Sequence, residues 1–375
     1  MNGKNKILFS CGDRSADNYL SLILKNLQVL YPNLETIVLG GERSAHFAKK
    51  FVEDLVSYDA HGFFCSASTL FKLVSLLKKV EDIIKDGVDA VVLLDYYGFN
   101  IKIAKIAKKY NVKVIYYIPP QIWASRRYRI EKIKKYVDYI ITIYPFEKEL
   151  YLQNNIKTEF FGHPLVDIIS SDEYPLNKNN IGLFPGSRKQ VIKWNLPEML
   201  RIITFYLKNY SKEKKFFIFG FEKYRILYKK IIERHLCKEL RDNVEIIYDG
   251  KFRSNIYLAV SVSGTNVLEN LFYNIPTIVI YKMPTLLYLV LKKIVYVDNI
   301  SLPNIILGEQ IIPEFVQNKI DIKKICSVID ILYEDDNIRK KIIENYEKVK
   351  KILSGQKNVS LKVAEKILEY VYGKI

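Results

Sequence analysis

A turn of small residues in the second half of the sequence has the composition of a phosphate-binding site. An apolar run ends at Val262, the turn Ser263-Gly264-Thr265 follows, and a helical pattern then continues to a break at Pro276, where a second apolar run begins. This order predicts one βαβ unit. Because Gly264 has no Cβ, the backbone can approach a ligand, and the free N–H groups of a helix start favour an anion such as a diphosphate.

The side chains beside this turn are compatible with a bound nucleotide. Glu269 follows one helical turn later, within reach of a ribose hydroxyl if a nucleotide lies on the helix start. Thr265 or Asn266 is expected to cap the helix. An ordinary strand-to-helix turn with a capping side chain explains the same residues, so the remaining chemistry of the chain has to decide between the two interpretations.

A second turn, at residues 183–188, opens the second half of the chain. An apolar run ends there, the backbone turns at Pro185-Gly186, and Ser187 is expected to cap the helix that follows. Arg188 offers a planar fork that suits phosphate. A solvated surface arginine is the alternative. The position at the carboxyl end of a predicted strand favours a ligand, because ligands of open α/β sheets bind at that edge.

Residues 298–317 form a third candidate segment, a loop followed by a short helix. It carries the amides of Asn304 and Gln317 together with Glu314. Buried amides of this kind suit a base, a ribose or a sugar. A helix N-cap at Asn304 explains the segment almost as well.

Candidate acid–base residues lie in the first half. Asp13, Ser15 and Asp17 crowd the turn after the first apolar run, and Asp95 ends a later one. A carboxylate there can accept the proton of a sugar hydroxyl, as a general base must. Alternatively, Asp13 or Ser15 only caps the next helix. The base is therefore predicted to be Asp17, Asp13 or Asp95, in that order.

A rigid Pro-Pro turn at residues 119–120 leads to Trp123, and Arg126, Arg127 and Arg129 follow closely. These residues suit the phosphate of an acceptor, although a solvated basic helix start explains them equally well. His163 has no second histidine or carboxylate at ligand spacing, so we predict no metal there.

Two series of short apolar runs alternate with helical patterns and must position these residues. This alternation is typical of parallel sheets covered by helices. A polar stretch at residues 171–180 is the best linker, and amphipathic helices without a motif follow residue 320. The sequence predicts two doubly wound domains, residues 1–172 and 173–375. The predicted strands are 6–10, 36–39, 90–94, 112–117 and 139–143, then 181–184, 215–219, 244–248, 258–262 and 277–281.

The composition limits the class of protein. A length of 375 residues with 49% hydrophobic and 26% charged residues fits two soluble globular domains. Lys and Arg exceed Asp and Glu by 17, but the lysines are scattered in pairs, which indicates solvated helix faces rather than a nucleic-acid site. No signal peptide or apolar run of about 20 residues is recognisable. The four cysteines lack zinc or disulfide spacing and suit the cytoplasm: Cys11, Cys65, Cys237 and Cys326.

Taken in order, these segments resemble the lipid-A-disaccharide synthases, glycosyltransferases of the GT-B fold, over about residues 6–320. The motifs that carry the resemblance are Gly-Asp-Arg-Ser-Ala-Asp at 12–17, Asp95 with Phe99-Asn100, Pro-Pro-Gln-Ile-Trp-Ala at 119–124, Tyr-Pro-Phe-Glu at 144–147, Phe-Gly-His-Pro at 161–164, Leu-Phe-Pro-Gly-Ser-Arg at 183–188, Ser-Gly-Thr-Asn-Val-Leu-Glu at 263–269, Ser-Leu-Pro-Asn at 301–304 and Pro-Glu-Phe-Val-Gln at 313–317.

The resemblance implies two Rossmann-like domains facing across a cleft, and an inverting reaction without a cofactor or metal. A 2,3-diacylglucosamine would pass from its UDP derivative to 2,3-diacylglucosamine 1-phosphate, giving a β-1,6-linked disaccharide 1-phosphate and UDP. The second domain would bind the UDP-sugar and the first the acceptor. The implied UDP-sugar residues are Gly186, Ser187, Arg188, Ser263, Gly264, Thr265, Glu269, Asn304 and Gln317, and the implied acceptor residues are Ser15, Asn100, Trp123 and Arg126.

Two departures from the family pattern concern the acceptor side. The first motif usually reads Gly-Glu-x-Ser-Gly-Asp, whereas here Asp13 and Ala16 replace the Glu and second Gly. The Asp95 motif usually contains a Pro and a second Asp, and here Tyr97 and Gly98 stand in their places. The alternatives are therefore a GT-B relative acting on another UDP-N-acetylglucosamine-type substrate, such as an epimerase or a cell-wall transferase, and a non-catalytic protein that binds UDP-sugar or lipid.

Lipid substrates require contact with a membrane, and two stretches have basic amphipathic character: residues 70–85 and 286–297. A plain core helix is the alternative for both, and it is the preferred interpretation of the second. The charge surplus is compatible with attraction to an anionic surface at the inner face of an inner membrane. Oligomeric state is left open, a homodimer included.

Overall fold

A computed structural model describes residues 5–58, 67–169 and 177–373. The chain divides into two compact units, one comprising residues 1–168 and 353–375 and the other residues 169–352. The predicted boundary between residues 172 and 173, most of the predicted linker and Cys65 lie outside the described residues.

The first domain is a parallel sheet of seven strands in the order β3-β2-β1-β4-β5-β6-β7. Its central strands are apolar and fully buried, because helices cover both faces of such a sheet. The strands are β1 Lys6–Cys11, β2 Glu35–Gly40, β3 Lys50–Asp54, β4 Ala90–Leu94, β5 Lys113–Tyr117, β6 Tyr139–Thr142 and β7 Thr158–Phe160. The helices are α1 Arg14–Leu30, α2 Glu42–Ala45, α3 Ala67–Gly87, α4 Tyr97–Lys109, α5 Arg129–Tyr136, α6 Pro145–Gln153 and α7 Leu165–Ile168.

The second domain repeats this architecture with six parallel strands in the order β10-β9-β8-β11-β12-β13. The strands are β8 Asn177–Phe184, β9 Lys215–Phe219, β10 Val244–Ile247, β11 Ile256–Ser261, β12 Thr277–Tyr281 and β13 Glu314–Val316. The helices are α8 Lys189–Asn209, α9 Arg225–His235, α10 Thr265–Phe272, α11 Thr285–Lys292, α12 Leu302–Leu307, α13 Ile322–Glu334 and α14 Asp336–Ser354.

The last helix, α15 Val359–Tyr372, belongs to the first domain, so its predicted placement in the second domain is wrong. The backbone N–H groups of Val359 and Ser360 donate to the Asp167 carboxylate at 3.0 and 2.7 Å. At the other end of the helix, Tyr372 Oη donates to Asp89 Oδ2 at 2.9 Å. These polar bonds join residues 192 to 283 positions apart, so the periodicity of the sequence could not predict them.

One further prediction about the elements is wrong: α11 is not a core helix. None of its residues is buried, and Leu286 and Leu289 are 76% and 53% exposed. The first turns of α3 likewise expose Leu70 and Phe71, the latter at 77%. No helix in the described part of the chain is long and apolar enough to cross a membrane.

Candidate active site

The carboxyl edge of the first sheet brings the predicted acidic residues together. Strands β1 and β4 pair in parallel with Cys11 opposite Leu94, so the turns that carry Asp13 and Asp95 start side by side. Burial raises the pKa of the Cys11 thiol well above its ordinary value, and the carboxylates of Asp17, Asp13 and Asp95 all raise it further. The three predicted base candidates therefore share one neighbourhood.

The backbone at Asp95 is held in an uncommon conformation. Asp95 and Tyr96 both adopt left-handed φ angles, 47° and 41°, at the start of α4. Conformations of this kind cost about 1–3 kcal/mol per residue and cluster at functional sites. Tyr116 Oη donates to the Asp95 carbonyl at 2.7 Å, which fixes the strained peptide. The Tyr96 ring lies against Gly12, where a Cβ would come within 2.4 Å of that ring.

Asn100, which was predicted as an acceptor ligand, lies in the interior of the first domain. Its side chain is fully buried, and its Nδ2 donates to the carbonyls of Leu94 and Asp95 at 3.0 and 2.9 Å. Its Oδ1 accepts from Ser10 Oγ at 2.7 Å. The amide thus joins the end of β4 to β1 and holds the Asp95 backbone through its carbonyl.

Asp17 was predicted as the first choice of base, and its surroundings argue against that role. The side chain is buried, and its carboxylate accepts from the backbone N–H groups of Gly41, Arg43 and Ser44 at 2.8, 3.1 and 3.2 Å. Free backbone N–H groups at a helix start are common hydrogen-bond donors to a carboxylate side chain. The structure therefore uses Asp17 to anchor α2.

Asp13 is the N-cap of α1, as the capping alternative anticipated. Its Oδ1 accepts from the Ser15 backbone N–H at 2.9 Å. Both side chains are half-buried at the sheet edge. The capping bond therefore occupies one carboxylate oxygen of Asp13.

Trp123 is joined to a buried carboxyl group that the sequence analysis did not single out. Its indole Nε1 donates to Glu147 Oε1 at 2.8 Å. Glu147 is 1% exposed, and burial raises its pKa to about 8. Its Oε2 has no hydrogen-bond partner within the described residues. The only sequence signal was an acidic residue enclosed by aromatic ones in Tyr-Pro-Phe-Glu. Arg126, the predicted phosphate ligand, is half-buried in a left-handed conformation with φ 56°.

His163 lies in the interior of the first domain. It is fully buried against Tyr19 and Tyr144, with ring centroids 6.0 and 5.6 Å away. Its Nδ1 accepts from the Leu165 backbone N–H at 3.2 Å, and burial lowers its pKa to about 3. His163 is thus a neutral core residue. Over the described part of the chain, no group of three or more His, Cys, Asp or Glu side chains could hold a metal ion.

The two predicted phosphate-binding turns begin side by side in the second domain. Strands β8 and β11 pair in parallel with Ser261 opposite Phe184, so the Pro-Gly-Ser-Arg and Ser-Gly-Thr turns leave the same edge of the sheet. Gly264 is exposed with φ 150°, a region that favours glycine, and a Cβ there would meet no atom within 4 Å. Gly264 itself occupies the N-cap position of α10. The predicted caps at Thr265 and Asn266 are therefore wrong.

Arg188 lies at the exposed start of α8. Arg188 itself occupies the N-cap position of α8, so the predicted cap at Ser187 is also wrong. Both side chains are exposed, while Gly186 is buried in the turn. Burial raises the pKa of Tyr281 and the Arg188 charge opposes that rise, which puts the guanidinium near the end of β12. Arg188 therefore belongs to the same edge as Gly264.

The third segment holds its amides in internal bonds. Asn304 is fully buried: its Oδ1 accepts from the Ile311 and Ile312 N–H groups at 2.9 and 2.8 Å, and its Nδ2 donates to Glu314 Oε1 at 2.7 Å. Ser301 rather than Asn304 is the N-cap of α12. The predicted ligand role of the Asn304 side chain thus conflicts with its burial.

Gln317 and Ser263 likewise brace the site. The Gln317 amide accepts from the Met283 N–H at 3.3 Å and donates to the Met283 carbonyl at 3.0 Å. Ser263 Oγ donates to the Ile300 carbonyl at 2.5 Å. The Ser263 bond fixes the loop before α12 to the Ser-Gly-Thr turn, and the Gln317 bonds fix Met283, which precedes α11, to the end of β13. Both side chains are thus bonded to backbone groups of the same domain.

Glu269 has a partner that no sequence signal indicated. Arg253, in the turn before β11, contacts Glu269 Oε2 with Nη2 at 2.6 Å. Glu269 remains 27% exposed at the edge, whereas the Arg253 side chain is 7% exposed. In the sequence Gly-Lys-Phe-Arg-Ser-Asn, the arginine has the pattern of a solvated surface charge. Its burial becomes evident only in the folded structure.

Two Rossmann-like domains with polar turns at the carboxyl edges of their sheets define the GT-B fold. Solved structures agree. MnaA from S. aureus, determined with UDP, superimposes with a TM-score of 0.67 at 13% identity, covering 98% of this chain and 97% of that one. A UDP-GlcNAc 2-epimerase from Neisseria meningitidis, bound to UDP-GlcNAc, gives 0.65 at 14% identity, covering 97% and 100%.

The chain belongs to the lipid-A-disaccharide synthetase family, whose sequence model matches residues 7–371. The lipid-A-disaccharide synthase of Persephonella marina is 30% identical over 400 residues, covering 97% of this chain and 98% of the relative. The enzyme of the same name from Syntrophus aciditrophicus is 31% identical, with 92% of both chains covered. The protein is therefore a glycosyltransferase of lipid A biosynthesis.

Proposed function

We propose that the protein joins UDP-2,3-diacylglucosamine and 2,3-diacylglucosamine 1-phosphate into a β-1,6-linked disaccharide 1-phosphate and releases UDP. In the proposed reaction the 6-hydroxyl oxygen of the acceptor forms a bond to the anomeric carbon of the donor. The bond from that carbon to the diphosphate breaks, and the configuration inverts without a covalent enzyme intermediate. The hydroxyl proton passes to a carboxylate of the first domain.

The observation that carries this proposal is the pair of adjacent turns in the second domain. The Gly264 backbone is open at the start of α10, and Arg188 is exposed at the start of α8. Backbone N–H groups and a guanidinium at one sheet edge suit the two phosphates of UDP. In this proposal Thr265 and Glu269 lie beside the diphosphate and ribose, and no metal is required.

We assign the acceptor to the first domain and the base to Asp95 in preference to the other two aspartates. Backbone donors occupy the Asp17 carboxylate, and Asp13 caps α1. Asp95 is half-buried on a strained, braced turn, which suits a group that must be held in one place. Trp123 and Arg126 would contact the acceptor sugar and its phosphate.

We further propose that the protein works at the anionic inner face of an inner membrane, through the exposed apolar residues of α3 and α11. Phe71 on α3 is 77% exposed beside the exposed Lys72, and Leu286 on α11 is 76% exposed with Lys292 and Lys293 following it. Apolar side chains flanked by lysines are the pattern of helices that lie on anionic lipid.

The test of the proposed reaction is incubation with both lipid substrates in detergent micelles, followed by mass spectrometry of the lipid products. We expect a disaccharide 1-phosphate whose mass equals that of the acceptor plus the UDP-sugar minus UDP. Binding of the UDP-sugar without turnover would contradict catalysis and favour the binding-only alternative. Turnover only with another acceptor would contradict the acceptor assignment. We would then attribute the different acceptor to Gly98, which stands in place of the family's second Asp.

A further inference from the structure

Arg253 is a buried arginine beside the proposed UDP site. It lies in the short 3-10 turn Gly250–Asn255, directly before β11, and is 6% exposed. Burying a guanidinium is costly unless its N–H groups find partners, so an arginine retained in such a place requires an explanation.

The partners of Arg253 all belong to one face of α10. Nη1 donates to Asn270 Oδ1 at 2.6 Å and to the Asn266 carbonyl at 3.2 Å, and Nη2 donates to Asn266 Oδ1 at 3.0 Å. Nη2 also contacts Glu269 Oε2 at 2.6 Å. Residues 266, 269 and 270 are spaced i, i+3 and i+4 and so share a helix face. One planar group thus holds the first turns of α10 from beneath.

Aromatic rings fix the plane of this guanidinium. Its central carbon lies 4.5 Å from the centroid of the Phe184 ring and 5.8 Å from that of Phe219. Arginine can stack on aromatic faces while its fork makes bonds in the plane, which lysine cannot do. The direction in which Nη2 points at Glu269 is therefore set by the packing of β8 and β9.

Glu269 differs from the other partners because it reaches solvent. Arg253 binds its Oε2, while Oε1 makes no hydrogen bond within the described residues and the side chain is 27% exposed. A glutamate on an exposed helix face samples several rotamers, and ordering it costs conformational entropy. A buried arginine that fixes one oxygen restricts the rotamers of the whole carboxylate, while the side chain stays accessible to solvent.

We propose that Arg253 is a positioning residue for nucleotide recognition: it orients the Glu269 carboxylate so that this group accepts hydrogen bonds from the ribose hydroxyls of UDP. The inference rests on the proposed function and extends it to a residue that does not itself touch the ligand. A purely structural arginine would stabilise the domain without any preference for a particular part of the nucleotide.

The test compares the affinities of UDP and 2′,3′-dideoxy-UDP by titration calorimetry. The unaltered protein should prefer UDP by about tenfold or more, the effect of a hydrogen bond to a charged group. Glu269→Gln and Arg253→Met should both reduce this preference to about threefold or less. The melting temperature of each variant is measured in parallel. If Arg253→Met does not fold, Arg253→Lys takes its place and should also lose most of the preference.

Arg339→Met is the matched control. Arg339 is another largely buried arginine of the same domain, donating to the Tyr257 carbonyl at 2.9 Å and stacking on its ring at 3.8 Å. That variant should lose stability but keep the full preference for UDP. An Arg253 variant that binds UDP more weakly yet keeps the preference would overturn the positioning role. An unaltered protein that binds UDP without any preference would also overturn it, while failure to bind UDP at all would contradict the proposed function itself.

Discussion

Arg188 is the residue whose substitution tests the nucleotide site most simply. Arg188→Ala should weaken UDP binding by about 1.5–3 kcal/mol, the contribution of hydrogen bonds to a charged group. Titration calorimetry with UDP measures the change. Lys189→Ala, at the adjacent exposed position, is the control and should alter the affinity by less than about 1 kcal/mol, since a mobile surface charge interacts weakly. Equal losses in both variants would show that only the general positive charge matters.

Glu147 gives a prediction about stability and pH. Its pKa rises from an ordinary 4.5 to about 8 on burial, so the folded protein keeps a proton that the unfolded chain has lost. Stability should therefore fall as pH rises from about 4.5 to about 8 and then stop falling. Glu147→Gln stays neutral and can still accept from Trp123. Its melting temperature should decline less than that of the wild type between pH 6.5 and pH 8.

Protonation of His163 does not interfere between pH 6.5 and pH 8, because burial lowers its pKa to about 3. The unfolded chain takes up a proton on this histidine below its ordinary value of 6.5, so its contribution to stability is lost only as pH falls from 6.5 towards 3. Glu149→Gln, at an exposed position of α6, is the control and should follow the wild type. If Glu147→Gln also follows the wild type, the buried carboxyl group does not titrate as described.

Sequence reasoning identified where the polar residues cluster, but it could not assign their bonds. The capping role of Asp13 was recognisable because a cap bonds to its own helix start. Asp17 and Gln317 bond to backbone groups 24 or more positions away, and Asn304 bonds to groups 7 and 8 positions away, beyond its own helix. Nothing in the neighbouring sequence distinguishes these residues from ligands. Arg253 was missed for the same reason, since its burial depends on Phe184 and on a helix that follows another strand.

At the scale of the element, the central strands and the edge strand β10 were predictable, whereas the other edge strands were not. Strand bounds at β4, β9 and β12 equal the predictions, because a strand buried on both faces is a continuous apolar run. The edge strands β3, β7 and β13 were missed, since they are short and carry charged residues. Helix α15 shows amphipathic periodicity, but periodicity does not tell which sheet a helix covers.

Helix α11 is the element that most needs a partner. Its Leu286, Leu289 and Val290 are exposed, and so is Tyr296 beyond it, which is unusual for a cluster of large apolar residues. Lys292 and Lys293 are exposed next to them. In our proposal, an anionic lipid surface would bury the apolar side chains and attract the lysines. The family assignment to lipid A biosynthesis is compatible with this proposal.

A prediction about binding to lipid vesicles follows from this arrangement. Leu286→Ser combined with Leu289→Ser should weaken binding to phosphatidylglycerol-containing vesicles by about tenfold or more, because each leucine loses part of a transfer free energy of about 1.5–3 kcal/mol. Co-sedimentation measures the bound fraction. Ile226→Ser on α9, a single apolar residue that is 70% exposed, is the control and should bind like the wild type. An unchanged double variant would remove α11 from the proposed membrane surface.

At the scale of the whole molecule, the net charge of +17 agrees with a protein that works beside anionic lipid. Both domains place their polar turns at the carboxyl edges of parallel sheets, which is where open α/β sheets bind ligands. The family assignment gives the reaction class, and we propose that the second-domain turns bind its leaving group. What distinguishes a transferase from the structurally similar epimerases is dependence on a second sugar.

The most direct measurement of the central claim is therefore the amount of UDP formed from UDP-2,3-diacylglucosamine with and without the acceptor 1-phosphate, with the disaccharide quantified in the same samples. We predict UDP and disaccharide in equal amounts, and neither when the acceptor is omitted. Consumption of the UDP-sugar without acceptor, or no UDP when both substrates are present, would contradict the account.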